Sequence, residues 1–441
     1  MAVDRNKRIV VIGAGCFGLS TAYHLLKRGY QQVTVIDRAP ILPAPDAAST
    51  DINKIVRSSY ADIFYTRLAR EAISAWKNSE EWGDTYHESG VYCALSLGET
   101  YTDKAYENDV ALGARIEHLS GPDAVRAVFP PSVHIHAPEH ARGYINRDGG
   151  WAFASQGISR MMEKVTALGG KIVSGKPVAE LLKTDGKTTG VRCEDGSVFE
   201  ADLVVLSAGS WTASAFPELS LQKACLATGQ CVAMLQLTPE EADMYQGCPV
   251  FLNFHTGFYI FPPNQENVMK LAIHDCGYTQ PVKSDKTDSL VSTPRTVLSH
   301  GSDGLRIPKA SLHKLRSELA QVYPELAKKP FAGTRLCWYT DSPDENWVIG
   351  YYPDDPNLFL ATSGSGHAYK FLPVLGRLVV DGIEGAMPPD VANRFAVNRA
   401  HGTKDGTVEP EIRAHPPAQL VEDELCTPED LMPAPAAVLA Q

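Results

Sequence analysis

Residues 8–20, RIVVIGAGCFGLS, decide the fold. RIVVIG is β-branched, uninterrupted and ended by glycine, the pattern of a parallel strand buried on both faces. From Cys16 to Arg28 the apolar Leu19, Ala22, Tyr23, Leu25 and Leu26 fall at helical spacing, and Gly29 closes the helix. QVTVIDR at 32–38 is a second strand, so the chain opens with a β-α-β unit. Gly13, Gly15 and Gly18 stand in G-x-G-x-x-G spacing between strand and helix, and Asp37 ends the second strand. That context makes the glycines a dinucleotide fingerprint. Gly13 allows the tight turn, Gly15 the approach of a pyrophosphate, and Gly18 close helix-to-strand packing. Cys16 and Phe17 complete the phosphate loop, and the helix N-terminus turns its N–H groups to the phosphates. Asp37, followed by Arg38, would accept hydrogen bonds from ribose hydroxyls and repel a 2′-phosphate, which argues against NADP. The fingerprint leaves NAD and FAD open.

Composition narrows the class. The chain has 441 residues, which suggests two or three domains. Apolar residues are 44% and charged residues 21%, as in soluble globular proteins. With 41 basic against 52 acidic side chains the net charge is −11, a surface that repels nucleic-acid backbones. Nine scattered cysteines without a C-x-x-C pair point to reduced thiols and to no metal site. No apolar run approaches a membrane span. MAVDRNKR runs straight into the first strand, so no signal peptide is expected. The chain ends VLAQ rather than S-K-L. The expected compartment is cytoplasmic or peroxisomal, and the expected state a monomer.

Further along, residues 62–78 read as an amphipathic helix with Asp62 as N-cap, 153–170 as a helix with a glycine stop, and 309–322 as a third. Residues 84–136 read as short strands and turns, and 221–290 as antiparallel strands. From about 404 the chain is rich in Pro, Ala and acids and is expected to be extended or disordered. The expected fold class is α/β: a Rossmann-like dinucleotide-binding domain (1–82, 145–220 and 331–400) interleaved with a mainly antiparallel substrate domain (83–144 and 221–330), and a tail at 401–441.

Two late glycine turns favour FAD over NAD. LVVLSAGSW at 203–211 is a buried strand ending in Ala208 and Gly209, with Trp211 beyond. LATSGSGHAYKF at 360–371 places Gly364, Gly366 and His367 after another strand. Such strand–glycine–helix returns can close over an isoalloxazine. A helix beginning near residue 367 would aim its positive end at the flavin carbonyl where charge gathers on reduction.

Taken in order, the fingerprint, DINKIVRSSY (51–60), RDGGW (147–151), NVMKLAIHD (267–275), TRLCWYTDSPDENWVIG (334–350) and SGSGHAYKFLP (363–373) resemble the monomeric sarcosine oxidase family of FAD-dependent amine oxidases. The resemblance is closest to its fungal fructosyl amino acid oxidase (amadoriase) and pipecolate–saccharopine oxidase branch, and covers about residues 8–390. It implies an FAD enzyme that oxidises the secondary amine of an amino acid, passes the electrons to O₂ and yields an imine and H₂O₂. It further implies that Cys337 forms a thioether to the flavin 8α-methyl group. Lys270, under the flavin, would assist O₂ reduction by stabilising negative charge developing on oxygen. Arg57 and Lys370 would hold the substrate carboxylate. Lys54 is implied as a neighbour of flavin or pocket, Lys370 also lies at the flavin, and Tyr60 lines the pocket.

Two departures bear on the substrate. Fructosyl oxidases carry an acid four residues after the lysine, where this chain has His274, a pocket residue or a plain strand histidine. Their Trp/Arg-rich stretch after the last helix is replaced by NRFAVNRAHG at 393–402. Both argue against sugar recognition. The leading expectation is an oxidase of an N-substituted or cyclic amino acid. A fructosyl amino acid oxidase, a nicotinamide-dependent dehydrogenase and a non-catalytic flavoprotein scaffold are the alternatives.

Overall fold

The computed structural model describes residues 4–95, 100–399 and 415–433. The strand β1 (Arg8–Ile12) is apolar on both faces because it is central: it pairs in parallel with β2 (Gln32–Ile36) on one side and with Leu203–Leu206 on the other. Val10 stands opposite Thr34 and Val204. Six strands make this sheet, in the order Val348–Tyr352, Asp355–Thr362, Leu203–Leu206, β1, β2, Lys171–Val173. Only the Val348–Tyr352 edge pairs antiparallel. The sheet thus draws strands from early, middle and late chain.

The helix α1 (Cys16–Lys27) follows β1, and its buried Leu19, Ala22 and Leu25 face the core. The late helix Leu375–Ile383 packs against α1 so closely that a Cβ on Gly376 would lie 1.9 Å from the Ser20 carbonyl oxygen. Ser20 Oγ ties the two, donating to Leu372 O at 2.7 Å and accepting from Gly376 N at 2.7 Å. The helix Ile63–Trp76 begins at Asp62, whose side chain accepts from Phe64 N. Ala154–Ala167 and Lys309–Val322 fall where helical spacing places them.

The second large element is a ten-stranded sheet. Leu226–Gln236, Val268–Ile273 and Phe258–Ile260 are successive antiparallel neighbours, and Val250–Asn253 joins them to Val91–Ala94 by a parallel pairing. Leu312, Leu315 and Leu319 of Lys309–Val322 share a core with Ala233, Leu235, Met269 and Leu271 of this sheet. A three-stranded sheet of β3 (Asn53–Val56), Gly150–Phe153 and Tyr86–His87 completes the surroundings of the site.

Four sequence expectations are corrected. The strand Gly333–Asp341, which carries Cys337 and was grouped with the dinucleotide-binding part, pairs along its length with Leu226–Gln236 of the ten-stranded sheet. Thr100–Ala111, inside a stretch read as strands and turns, is a helix. No regular helix starts near residue 367: a 3₁₀ turn, Tyr369–Phe371, comes first and the α-helix begins at Leu375. Pro373 between them has no N–H to give to an α-helical ladder. In the tail, residues 400–414 and 434–441 lie outside the described residues. Residues 415–433 follow an extended course but are docked. Cys426 donates its N–H to Ile307 O at 2.8 Å, Arg306 donates to the carbonyls of Leu425 and Cys426, and Leu425 is 1% exposed.

Candidate active site

Two connected spaces lie between the sheets. The larger is a cleft of about 790 Å³ along the carboxyl ends of β1, β2 and Leu203–Leu206, where ligands of open α/β sheets bind. Its wall includes Gly13, Gly15, Cys16, Phe17, Asp37, Arg38, Lys54, Ala208, Gly209, Trp211, Gly364 and Gly366, all predicted cofactor residues. Gly18 lies behind the loop, where a Cβ would sit 1.9 Å from Gly13 O. Gly13 has φ +107°, and a Cβ there would meet Ser207 O at 2.4 Å. Both glycines let the loop fold tightly over the strand ends. Asp37 is spent on the loop itself: Oδ2 accepts from Ala14 N at 2.7 Å and Oδ1 from Ala39 N at 2.8 Å. Burial raises its pKa, with those N–H donors opposing. Arg38 stacks on Trp211 at 3.8 Å from the ring centroid and pairs with Asp46. A glycine-lined loop at a helix N-terminus, opening on a long cleft, fits an FAD.

The smaller space, about 80 Å³, shares Lys54, Tyr339, Gly366 and Tyr369 with the cleft. Arg57, Lys270, His274, His367 and Lys370 line it, with Phe254, Tyr259 and Phe261 as an aromatic wall. Residues from four distant segments thus meet in one chamber. Tyr60 does not line it but stands behind Lys370, whose Nζ donates to Tyr60 OH at 2.6 Å and to His367 O at 2.8 Å. Arg57 donates to Ser59 O and lies 4.7 Å from the Tyr60 ring centroid and 5.0 Å from that of Phe254. His274 packs its ring 6.0 Å from that of Tyr339.

Lys270 projects from the middle of Val268–Ile273 and is 0% exposed. A buried ammonium needs partners, and it donates to Asp51 Oδ2 at 2.6 Å and to Asn53 O at 2.7 Å. The same Asp51 oxygen accepts from Lys54 Nζ at 2.8 Å, and Arg335 lies 3.9 Å from the other oxygen. Burial would raise the Asp51 carboxyl, but Lys270, Lys54 and Arg335 overcome it and hold it far below the carboxylate range. The two lysines share one anion and part company. Burial pulls Lys270 down to about 8 against the pull of Asp51. Lys54, also opposed by burial, is raised by Asp51. Sequence reading missed Asp51, although it opens the DINKIVRSSY segment.

Cys337 is 1% exposed and lines neither space itself; it lies behind Lys54, which lines both, with its Sγ 3.5 Å from Lys54 Nζ. It packs with Val232 and Ala272 on the sheet face that carries Lys270. Its neighbours Trp338 and Tyr339 line the cleft. The acidic turn after it is held by Arg399, which donates to both Asp344 oxygens at 2.7 and 2.8 Å. A second group missed in sequence is Asp109 of the Thr100–Ala111 helix. It is buried and accepts from Ser59 Oγ at 2.7 Å and Asn146 Nδ2 at 3.0 Å, beneath the segment that carries Arg57.

The doubly wound sheet, fingerprint cleft and adjoining cationic chamber define an FAD-binding oxidoreductase. The sequence pattern of the FAD dependent oxidoreductase family matches residues 8–382, and the chain belongs to that family. Its relatives place it in the sarcosine oxidase and fructosyl amine oxidase branch. It is 32% identical to L-saccharopine oxidase of Schizosaccharomyces pombe, over 86% of this chain and 90% of that protein. To the peroxisomal sarcosine oxidase of Homo sapiens it is 26% identical, over 84% of this chain and 90% of that one. The solved fructosyl peptide oxidase of E. terrenum superposes with a TM-score of 0.84 at 27% identity, covering 97% of this chain and 98% of that chain. No described helix is long and apolar enough to cross a membrane.

Proposed function

We propose that this chain, an FAD-dependent oxidase of secondary amines, acts on a small N-substituted or cyclic amino acid and releases an imine and H₂O₂. The observation that carries this reading is the convergence of Arg57, Lys370 and Lys270 on one chamber of about 80 Å³. Bound FAD supplies the acceptor for the two electrons that leave the C–N bond of the amine. Gly13, Gly15, Cys16, Phe17, Asp37, Arg38, Ala208, Gly209, Trp211, Gly364 and Gly366 would hold it along the cleft.

The protein's own contribution is placement and charge. Arg57 and Lys370 hold the carboxylate and so fix the amine relative to the flavin face. The cations around the chamber disfavour an ammonium, so the amine reacts in its neutral form. Lys270 keeps a positive charge where oxygen accumulates negative charge. In the overall change the amine loses two electrons and two protons, and O₂ takes them up as H₂O₂. His274, which stands in the chamber wall where fructosyl oxidases carry an acid, argues against the amadoriase reading. The enzyme works as a monomer in the cytoplasm or peroxisome.

A peroxide-release screen over sarcosine, pipecolate, saccharopine and fructosyl-valine tests this. Turnover is expected with sarcosine or pipecolate; turnover with fructosyl-valine alone would replace the reading, and none with any amine would sink it. Arg57→Gln should raise KM about 10–100-fold, the worth of a lost charged hydrogen-bond pair, while leaving bound FAD unchanged in absorbance. Cys337 is proposed as the covalent anchor, supported by its contact with Lys54 and by the next two residues, Trp338 and Tyr339, which line the cleft. Acid-precipitated protein should keep its yellow colour in the pellet, and Cys337→Ser should release it to the supernatant; release from the unaltered protein would remove the anchor.

A further inference from the structure

Behind the chamber runs a hydrogen-bond chain whose direction is fixed by its last link. His367 Nε2 lies 3.0 Å from the Glu345 carbonyl oxygen. A carbonyl only accepts, so Nε2 carries the proton, and in the neutral ring Nδ1 is the acceptor. Nδ1 lies 3.3 Å from Tyr60 OH, which therefore donates to it. The Tyr60 oxygen accepts in turn from Lys370 Nζ at 2.6 Å, and Lys370 lines the chamber. Every donor points the same way, from chamber wall to imidazole. The ring is itself held: it stacks on Trp347 with centroids 5.5 Å apart, and Tyr65 meets it edge-on at 5.0 Å.

A secondary amino acid reaches neutral water as an ammonium and must shed a proton before its nitrogen can give up electrons. The wall offers few takers. Lys270 and Lys54 are cations tied to Asp51, and Arg57 holds its proton at any working pH. Two lining residues can be neutral bases, His274 and His367, and His367 is joined to Lys370 through Tyr60. We infer that His367, through Tyr60 and Lys370, takes up the proton that the substrate amine loses on binding. This rests on the reading that Lys370 holds the carboxylate of the bound amino acid, and asks in addition that its Nζ reach the adjoining amine nitrogen.

The transfer balances without any other reactant. Lys370 passes a proton to the Tyr60 oxygen, Tyr60 passes its own to His367 Nδ1, and Lys370 is refilled from the substrate nitrogen. One proton has moved from substrate to imidazole, and no charge is created. Nearby titratable and charged groups are Tyr60 and Tyr65 from the early segment, and Lys370 beside it. Asp344, paired with Arg399, lies in the turn, and Arg394, paired with Asp62, sits over the Tyr65 ring.

The test is anaerobic flavin bleaching by sarcosine or pipecolate, followed by stopped flow from pH 6 to 10. Tyr60→Phe and His367→Gln are each expected to lower the limiting rate about 100-fold at pH 7 and to approach the unaltered enzyme by pH 10. Affinity for methoxyacetate, a carboxylate without an amine, should stay within about threefold in both variants. A loss that is the same at every pH, or one that follows weakened methoxyacetate binding, would make the pair mere supports for Lys370 and overturn the inference. So would a pH-dependent loss in His274→Gln with none in the other two. If Lys370→Met binds methoxyacetate as tightly as the unaltered enzyme, the carboxylate reading fails instead.

Discussion

Lys270→Met is expected to slow reoxidation of the reduced enzyme by O₂ about 10²–10³-fold, the usual cost of one well-placed electrostatic group. Anaerobic reduction by substrate should change less than about fivefold. The two half-reactions would part because, in the proposed role, the ammonium serves the oxygen and not the amine. Its titration gives a second signature. The ordinary lysine value is 10.5, and in the fold burial, opposed by Asp51, brings it to about 8. The positive charge is therefore present below about 8 and lost above it, so reoxidation should fall as pH rises through that value. In Lys270→Met this limb should vanish. Stability runs the other way. Between about 8 and 10.5 the unfolded chain binds the extra proton, so stability rises with pH there and is level in this term below 8. An oxidative half-reaction unchanged in Lys270→Met would refute the role.

Asp51→Asn should be the most destabilising change at the site, costing about 3–5 kcal/mol, the range for removing one partner of a buried ion pair. The variant keeps the shape of the side chain but leaves Lys270, Lys54 and Arg335 around a neutral amide. Repulsion among the buried cations, rather than a lost contact, drives the loss. The double variant Asp51→Asn/Lys270→Met should therefore recover a large part of the loss, as read by urea midpoints at pH 7. Additive losses would show that the charges are not coupled. In the unaltered protein the Asp51 carboxyl is held far below 3.8 by its cations, against burial. Its contribution is present above that value and is lost as pH falls below it, so the variant should lack this part of the acid transition.

The cofactor half of the site was legible because its signals are local. The glycine spacing, the buried strand before it and Asp37 after it all lie within some thirty residues, and the cleft forms around them. The chamber was legible only by resemblance. Asp51 is separated from Lys270 by 219 positions, and no local pattern links an acid in one strand-leading segment to a lysine in another. The helix Thr100–Ala111 escaped because its buried stripe, Tyr101, Ala105 and Asp109, includes a carboxylate, which breaks the apolar periodicity that marks a helix. Cys337 was grouped with the wrong sheet because strand pairing with Leu226–Gln236 bridges about a hundred residues that carry no trace of it. Docking of the tail was not legible from its composition: Leu425 and Cys426 are buried in a stretch rich in proline and acids, and the other anchors are backbone pairings of Ala418–Gln419 and Leu431 with distant segments.

The interleaving of the six-stranded sheet also governs how the protein can be made. β1, α1 and β2 leave the ribosome first, but β1 needs Leu203–Leu206 on its open edge, and that strand needs Asp355–Thr362. At 5–20 residues per second, roughly 15–60 s separate Ile36 from Asp355. Throughout that interval the fingerprint strand presents two apolar faces with no finished sheet to bury them. The nascent chain is thus a natural client for chaperones, and a slow stretch of translation between the two would lengthen its exposure.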